Sequence, residues 1–314
     1  MTVTLVTSAG SASASAVIER LHALGHRVMA CNIYPREWNQ ACMEADAFFQ
    51  AVPASDARAY TAQLEDEVRR EGIRYLIPLT DVEVDVLCAQ KARFAALGCT
   101  VCVPDEPCAR LCRDKLKMAQ ALQQDGVCRT IPTFSPYEES DFSFPLMLKP
   151  LHGRSSQGQA VVRGREALLS ALSTRDDYIA QPFLDGPVYT VDVARDRFGH
   201  VQALARLELL RTVNGLGTTV RVLPGHPLED VCARIAARAG VVGVVNMEFI
   251  EHGGEYWFLE VNPRFSGGLG FSVTAGVDFP ALNIRCHAGE AIGARAEARA
   301  CVMTRRILPI VTAE

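Results

Sequence analysis

Residues 144–158 read FPLMLKPLHGRSSQG. An apolar run of strand character delivers Lys149 at its end, and a loop containing Gly153, Ser155, Ser156 and Gly158 follows at once. This combination suits a polyphosphate: the lysine supplies a point charge, and a flexible loop rich in amides and hydroxyls folds donors over phosphate oxygens. It is not a Walker A loop, because the G-x-x-x-x-G-K-[ST] order is missing and Lys149 precedes the glycines. A second stretch, 256–268, reads YWFLEVNPRFSGG. Strand alternation puts Glu260 and Asn262 on one face and Val261 on the other. Two oxygen donors pointing the same way suit a hard cation such as Mg²⁺, with Glu248 of VVNMEFIE as a third ligand from a neighbouring strand. Arg264 lies where it would reach a transferring phosphoryl group. A solvated hairpin explains these charges less well, since Glu260 stands among apolar neighbours where an unpaired carboxylate is costly.

The first hundred residues alternate strand-like and helix-like segments. Strands are expected at 2–6, 26–31, 75–78 and 99–103, and helices at 13–24, 59–71 and 82–97, each stopped by a glycine: Gly25, Gly72 and Gly98. Helical crossovers of this length imply parallel pairing, hence a doubly wound α/β sheet. The loop Ser8–Ser13 holds one glycine, Gly10, and lacks the G-x-G-x-x-G fingerprint, so it reads as a tight strand-to-helix turn. Asp81 and Glu83 follow the third strand, where a ligand-facing edge and a helix cap by Asp81 are both open readings. Pro104 and Pro107 mark a break before a helix at 109–124. Residues 144–191 suit a small α+β lobe, and strands at 201–210, 244–250 and 256–261 with a helix at 228–239 complete a second. The division expected is 1–105, 106–190 and 191–314.

Of 314 residues, 49% are hydrophobic and 22% charged, and the net charge is −4, a globular balance that disfavours disorder and nucleic-acid coating. No apolar run reaches the roughly 18–20 residues of a spanning helix. The first basic residue is Arg20, so the N-terminus lacks the positive region of a signal peptide, and the eleven cysteines read as reduced thiols of a cytoplasmic protein. Cys99, Cys102, Cys108 and Cys112 imitate a zinc site, but two fall on a strand and two on a helix, which favours buried small hydrophobes.

Taken in order, Asp114-Lys115, Lys149-Pro150 with the SSQG loop, YIAQPFLDGPVYTVDV, and the pair MEF and LEVNPRFSGG resemble the ATP-grasp superfamily over nearly the whole chain. The resemblance is nearest to the carbamoyl phosphate synthase large-subunit branch and to stand-alone ligases such as the pyrrolysine-pathway ligase. It implies an N-terminal doubly wound domain followed by two α+β lobes that clasp ATP. It also implies that Lys115 and Lys149 contact phosphates, that 153–158 covers them, and that Glu248, Glu260 and Asn262 hold Mg²⁺ or Mn²⁺. Gln181 stands at the usually acidic adenine position, Phe183 and Leu184 at the hinge that meets the purine, and Arg264 near the γ-phosphate. Val188 departs from the pattern, standing where relatives carry a glutamate for the ribose; Pro182 is also unusual.

The chemistry implied is phosphorylation of a carboxylate to an acyl phosphate and attack by an amine, expected to be an amino acid, giving an amide, ADP and phosphate. Arg211, or else Arg206, is read as the grip on the acid or its acyl phosphate, against the plainer reading of a surface pair with Glu208. His152 reads as a loop contact. Rival readings are activation of bicarbonate, nucleotide binding without ligation, and a nicotinamide oxidoreductase resting on the first loop alone. Partners are small molecules, with no nucleic acid or membrane, and 267–276 is a candidate homodimer contact.

Overall fold

Five parallel strands open the chain in the computed structural model, which describes residues 1–138, 141–151, 153 and 157–313. They are β1 (Val3–Val6), β2 (Arg27–Asn32), β3 (Ala47–Gln50), β4 (Ile73–Ile77) and β5 (Thr100–Val101), in the order β3-β2-β1-β4-β5. The chain winds outward from β1 to β3 and then crosses to β4, so the topological switch point falls between β1 and β4, where such sheets open a crevice. β3 is an addition to the sequence expectation; its four residues, AFFQ, sit on an edge and carry no alternation of exposure.

Two predicted helices are broken. The segment expected as one helix over 82–97 is Asp81–Leu87, a short 3-10 turn, and Lys91–Ala96. The helix expected over 109–124 is Glu106–Arg113 and Lys115–Gln124. Asp114 separates them in an extended conformation, and its carboxylate accepts from the Lys117 amide at 2.9 Å, starting the second helix anew. That break seats Lys115 at the first helical position, where it is buried.

A three-stranded antiparallel sheet follows, β6 (Leu146–Pro150), β7 (Ala160–Val162) and β8 (Tyr178–Pro182), in the order β7-β6-β8. Leu146 and Leu148 point into a small core with Leu168 of the Arg165–Leu172 helix, which sends Lys149 to the opposite face.

The third sheet has six antiparallel strands: β9 (Val188–Arg195), β10 (Val201–Arg211), β11 (Gly217–Leu223), β12 (Gly243–His252), β13 (Glu255–Asn262) and β14 (Cys301–Thr304). Their order is β13-β12-β9-β10-β11-β14. Val191, Val193, Ala205, Val245 and Met247 share a core with Ile235 of the Pro227–Ala239 helix. The other face packs Ala194, Leu204 and Val244 into a core that also holds Val17 and Ile18 of the N-terminal helix Ala14–Ala23 and Leu269 and Phe279 of two late helices. The parallel sheet is thereby fixed to the six-stranded sheet by shared apolar burial. Leu269, Phe271 and Ala275 belong to that same core, and only Thr274 and Gly276 of 267–276 are exposed. The stretch read as a dimer contact therefore spends its apolar side chains inside its own chain. Cys99, Cys102, Cys108 and Cys112 are all buried. No helix is long and apolar enough to cross a membrane among the described residues.

Candidate active site

Period-two alternation gives the six-stranded sheet one apolar face and one mixed face. Residues 191, 193, 205, 245 and 247 go to the apolar core, so Thr190, Asp192, Arg206, Glu208, Asn246 and Glu248 share the other side. Register aligns Arg206 with Thr190, Thr190 with Glu248, and Glu248 with Glu260, a row across four strands. Asn246 stands opposite Asn262 in the next row. A cavity of about 760 Å³ lies over this face. Its far wall is the switch-point edge of the parallel sheet, including Ser8, Thr80, Asp81 and Glu83, and Lys149 enters from the three-stranded sheet.

Within the cavity wall two carboxylates oppose each other directly across β12 and β13, an arrangement that repels unless cations neutralise it. Lys115 Nζ lies 3.6 Å from Glu260 Oε2 and donates to the Gly153 carbonyl at 3.0 Å. Asn262 donates to Glu260 Oε1 at 3.1 Å. Burial pushes the Glu260 carboxyl up, but the ammonium groups of Lys115 and Lys149 and the Asn262 amide outweigh it and hold the group below its ordinary value. Glu248 goes the other way: burial dominates and raises it, although Arg211 donates to its Oε2 at 2.9 Å. Burial likewise lowers Lys149, opposed by the attraction of Glu260.

Arg264 follows Asn262 and donates to Asp81 Oδ2 at 2.8 Å and to Asn262 Oδ1 at 3.4 Å. Asp81 is not the helix cap. Thr80 holds that position, and Glu83 accepts from the amides of Leu79 and Thr80 at 3.3 and 3.2 Å and from the Tyr60 hydroxyl at 2.8 Å. Asp81 is thereby left for Arg264, with Arg113 at 3.6 Å from its other oxygen. Burial raises the Asp81 carboxyl and the two guanidinium groups more than reverse that, leaving it below the usual range.

The two arginines weighed for substrate binding separate cleanly. Arg206 is fully buried, paired with Asp192 and Ser272 and donating to Ser266 at 3.1 Å, and it does not line the cavity. Its charge is consumed by Asp192, which corrects both the substrate-grip and the Glu208-pair readings for this residue. Arg211 does line the cavity, and it is held by Glu248 and by the Gly215 carbonyl at 2.7 Å, not by Glu208.

Lys149, Arg211, Glu248, Glu260, Asn262 and Arg264 thus meet at one cavity, with Lys115 joined through Glu260. The adenine-side group does not line it. Gln181 is buried on β8, donating to Thr133 Oγ1 at 2.8 Å while its Oε1 finds no partner among the described residues; Phe183 donates its amide to the Pro145 carbonyl at 3.0 Å. Leu184 lies in the segment that joins β8 to the six-stranded sheet, and Val188, the first residue of β9, stands opposite Glu208. The Gly158 carbonyl accepts from the Tyr178 hydroxyl at 2.9 Å. Ser155, Ser156 and His152 lie outside the described residues. Among those residues no three or more His, Cys, Asp or Glu side chains cluster as metal ligands. The set brought together is two carboxylates and an amide, all hard oxygen donors, which fits a magnesium ion that takes further oxygens from phosphate and water. Sequence reading missed Asp81 as the partner of Arg264, and Glu208 as a cavity residue in its own right.

A family model described as "ATP-grasp in the biosynthetic pathway with Ter operon" matches residues 174–308, and one described as "PylC-like, N-terminal domain" matches 4–102. D-alanine--D-alanine ligase of Fusobacterium nucleatum is 26% identical over 161 residues, 48% of this chain and 55% of that one. The carbamoyl phosphate synthase large chain of Clostridium beijerinckii is 24% identical over 143 residues, 41% of this chain and 13% of that one. The match therefore spans about half the length of the first curated relative and a small part of the second. In fold, the chain is similar to N5-carboxyaminoimidazole synthetase from Staphylococcus aureus complexed with ADP, with a TM-score of 0.76 at 14% identity, covering 98% of this chain and 82% of that one.

Proposed function

We propose that this chain, which belongs to the ATP-grasp proteins and carries a PylC-like N-terminal domain, is an ADP-forming carboxylate-amine ligase. The observation that supports this most is the meeting of Lys149, Glu248, Glu260, Asn262 and Arg264 at one cavity wall, with Lys115 held to it through Glu260. In this reading Lys115 and Lys149 hold the phosphates of ATP, and Arg264 steadies the γ-phosphoryl group as it passes to the substrate carboxylate. Charge placed in advance on buried groups stabilises the transferring phosphoryl without reorganisation at the moment of reaction. Glu248, Glu260 and Asn262 would hold magnesium or manganese, which supplies neutralisation of phosphate charge. Gln181 offers its unpartnered Oε1 to the adenine amino group, with Phe183 and Leu184 against the purine. Gly153 and Gly158 are read as backbone contacts to the phosphates that help keep water from the acyl phosphate. Arg211, at the edge of the same wall, is placed to orient the acid.

The acid and the amine are taken to be small molecules, with amino acids the first class to try. Incubation with ATP, Mg²⁺ and mixtures of the twenty proteinogenic L-amino acids should release ADP and phosphate in equal amounts. AMP and pyrophosphate as products would falsify the acyl-phosphate route, and nucleotide binding without turnover on any acid would mark a binding protein instead.

A further inference from the structure

We propose that Glu208 receives the attacking amine, pairing with its ammonium group and taking the proton that frees the nitrogen lone pair. The proposal rests on the ligase reading and adds a residue to it. Glu208 lines the cavity from β10, on the same face as Thr190 and Glu248. Its Oε2 is buried and has no hydrogen-bond partner among the described residues. A carboxylate oxygen left this way is costly unless a ligand donates to it. The charged groups around it are engaged elsewhere: Arg206 with Asp192, and Arg211 with Glu248 and Gly215. Arg305, whose charge also reaches Glu208, donates to the carbonyls of Ala12 and Gly267. Burial lifts the carboxyl above its ordinary value in spite of the charges of Arg206 and Arg211, which favours the protonated form the group must take up in this role.

The backbone around the carboxylate is shaped to leave it room. Gly217, on the adjacent strand, comes so close that a Cβ there would stand 1.7 Å from Oε2. Any side chain at 217 would displace the carboxylate. A cationic donor is the chemistry that matches a carboxylate with no ion pair among the described residues, in a cavity where Glu260, Glu248 and Asp81 already face Lys115, Arg211 and Arg264.

The step balances as follows. The ammonium passes one proton to Glu208, and the nitrogen lone pair forms the C–N bond with the acyl carbon. The C–O bond to phosphate breaks, phosphate leaves with that electron pair, and the second nitrogen proton goes to the departing phosphate.

Hydroxylamine, which is neutral at pH 7.5 and needs no base, separates this role from acid activation. With ATP, Mg²⁺ and the twenty L-amino acids, hydroxamate reports the acyl phosphate and peptide reports attack by an amine. The ratio of peptide to hydroxamate should fall about 100-fold in E208Q, and G217A, which pushes the carboxylate aside, should lower the same ratio. An unchanged ratio in E208Q overturns the proposal while the ligase reading stands. Absence of hydroxamate with every acid in the wild type overturns the ligase reading and this role with it.

Discussion

Arg264 reaches Asp81 at 2.8 Å, although 183 positions separate them in the chain. The contact joins a residue just beyond the end of β13 to the first turn of the helix after β4, at the switch point of the parallel sheet. Arg264 is the group proposed to meet the transferring phosphoryl, so in that proposal its aim is set by a residue of the N-terminal domain. The shared apolar core behind it keeps the two sheets from drifting apart.

Asp81→Asn should therefore weaken both activity and stability. Both oxygens of Asp81 face guanidinium groups in a buried setting, and removing one member of such a set costs about 3–5 kcal/mol. Urea denaturation at pH 7 is the measurement for stability, and ADP release for activity. A pH dependence accompanies it. The folded-state pKa of Asp81 is depressed, so its contribution is fully present above the unfolded value of about 3.9 and is lost as pH falls through the lower folded value. The gap in stability between wild type and variant should close below about pH 4.

Glu260→Gln keeps the shape of the side chain and its contact with Asn262 but removes the charge between Lys115 and Lys149. Turnover should fall by about 100-fold or more, with the circular dichroism spectrum unchanged. Magnesium dependence of ADP release in the two proteins is the check, and a variant with wild-type activity would remove Glu260 from the cation site.

Val188→Glu places a carboxylate at the position where the family resemblance implies a ribose contact. One charge-assisted hydrogen bond to the ribose should tighten ATP binding by about tenfold in calorimetry. The register adds a cost, since position 188 stands opposite Glu208 and like charges facing each other across a ladder destabilise by up to about 1 kcal/mol. The variant should thus bind nucleotide more tightly and unfold at lower urea. Unchanged affinity would show that the missing ribose contact is not what Val188 removed.

Much of this was legible in the sequence, for a physical reason. Glu260 and Asn262 are two apart on one strand, and Glu248 sits in a strand that reads as its neighbour, so periodicity alone brings three donors together. The break at Asp114 was not legible, because the residues on both sides favour helix and only the side-chain bond to the Lys117 amide interrupts them. Asp81 carried a signal at a strand end, but nothing local reveals that Glu83 takes the capping role and releases it for Arg264. The separation of Arg206 from Arg211 also depends on tertiary structure: Asp192, which neutralises Arg206, is one polar residue among several on an alternating strand.

That separation predicts opposite phenotypes for two arginines five residues apart. Arg206→Ala leaves Asp192 as a buried charge without its partner and empties a fully buried side-chain volume, so stability should drop by about 3–5 kcal/mol and activity should disappear with the fold. Arg211→Ala removes a partly exposed guanidinium from Glu248 and should cost about 1 kcal/mol or less. Its defect should appear in turnover of a folded protein, because Glu248 then faces Glu260 across the ladder without that neutralising cation. Denaturation midpoints and ADP release measured together on both variants distinguish the two roles, and equal loss of stability in both would make Arg211 as structural as Arg206.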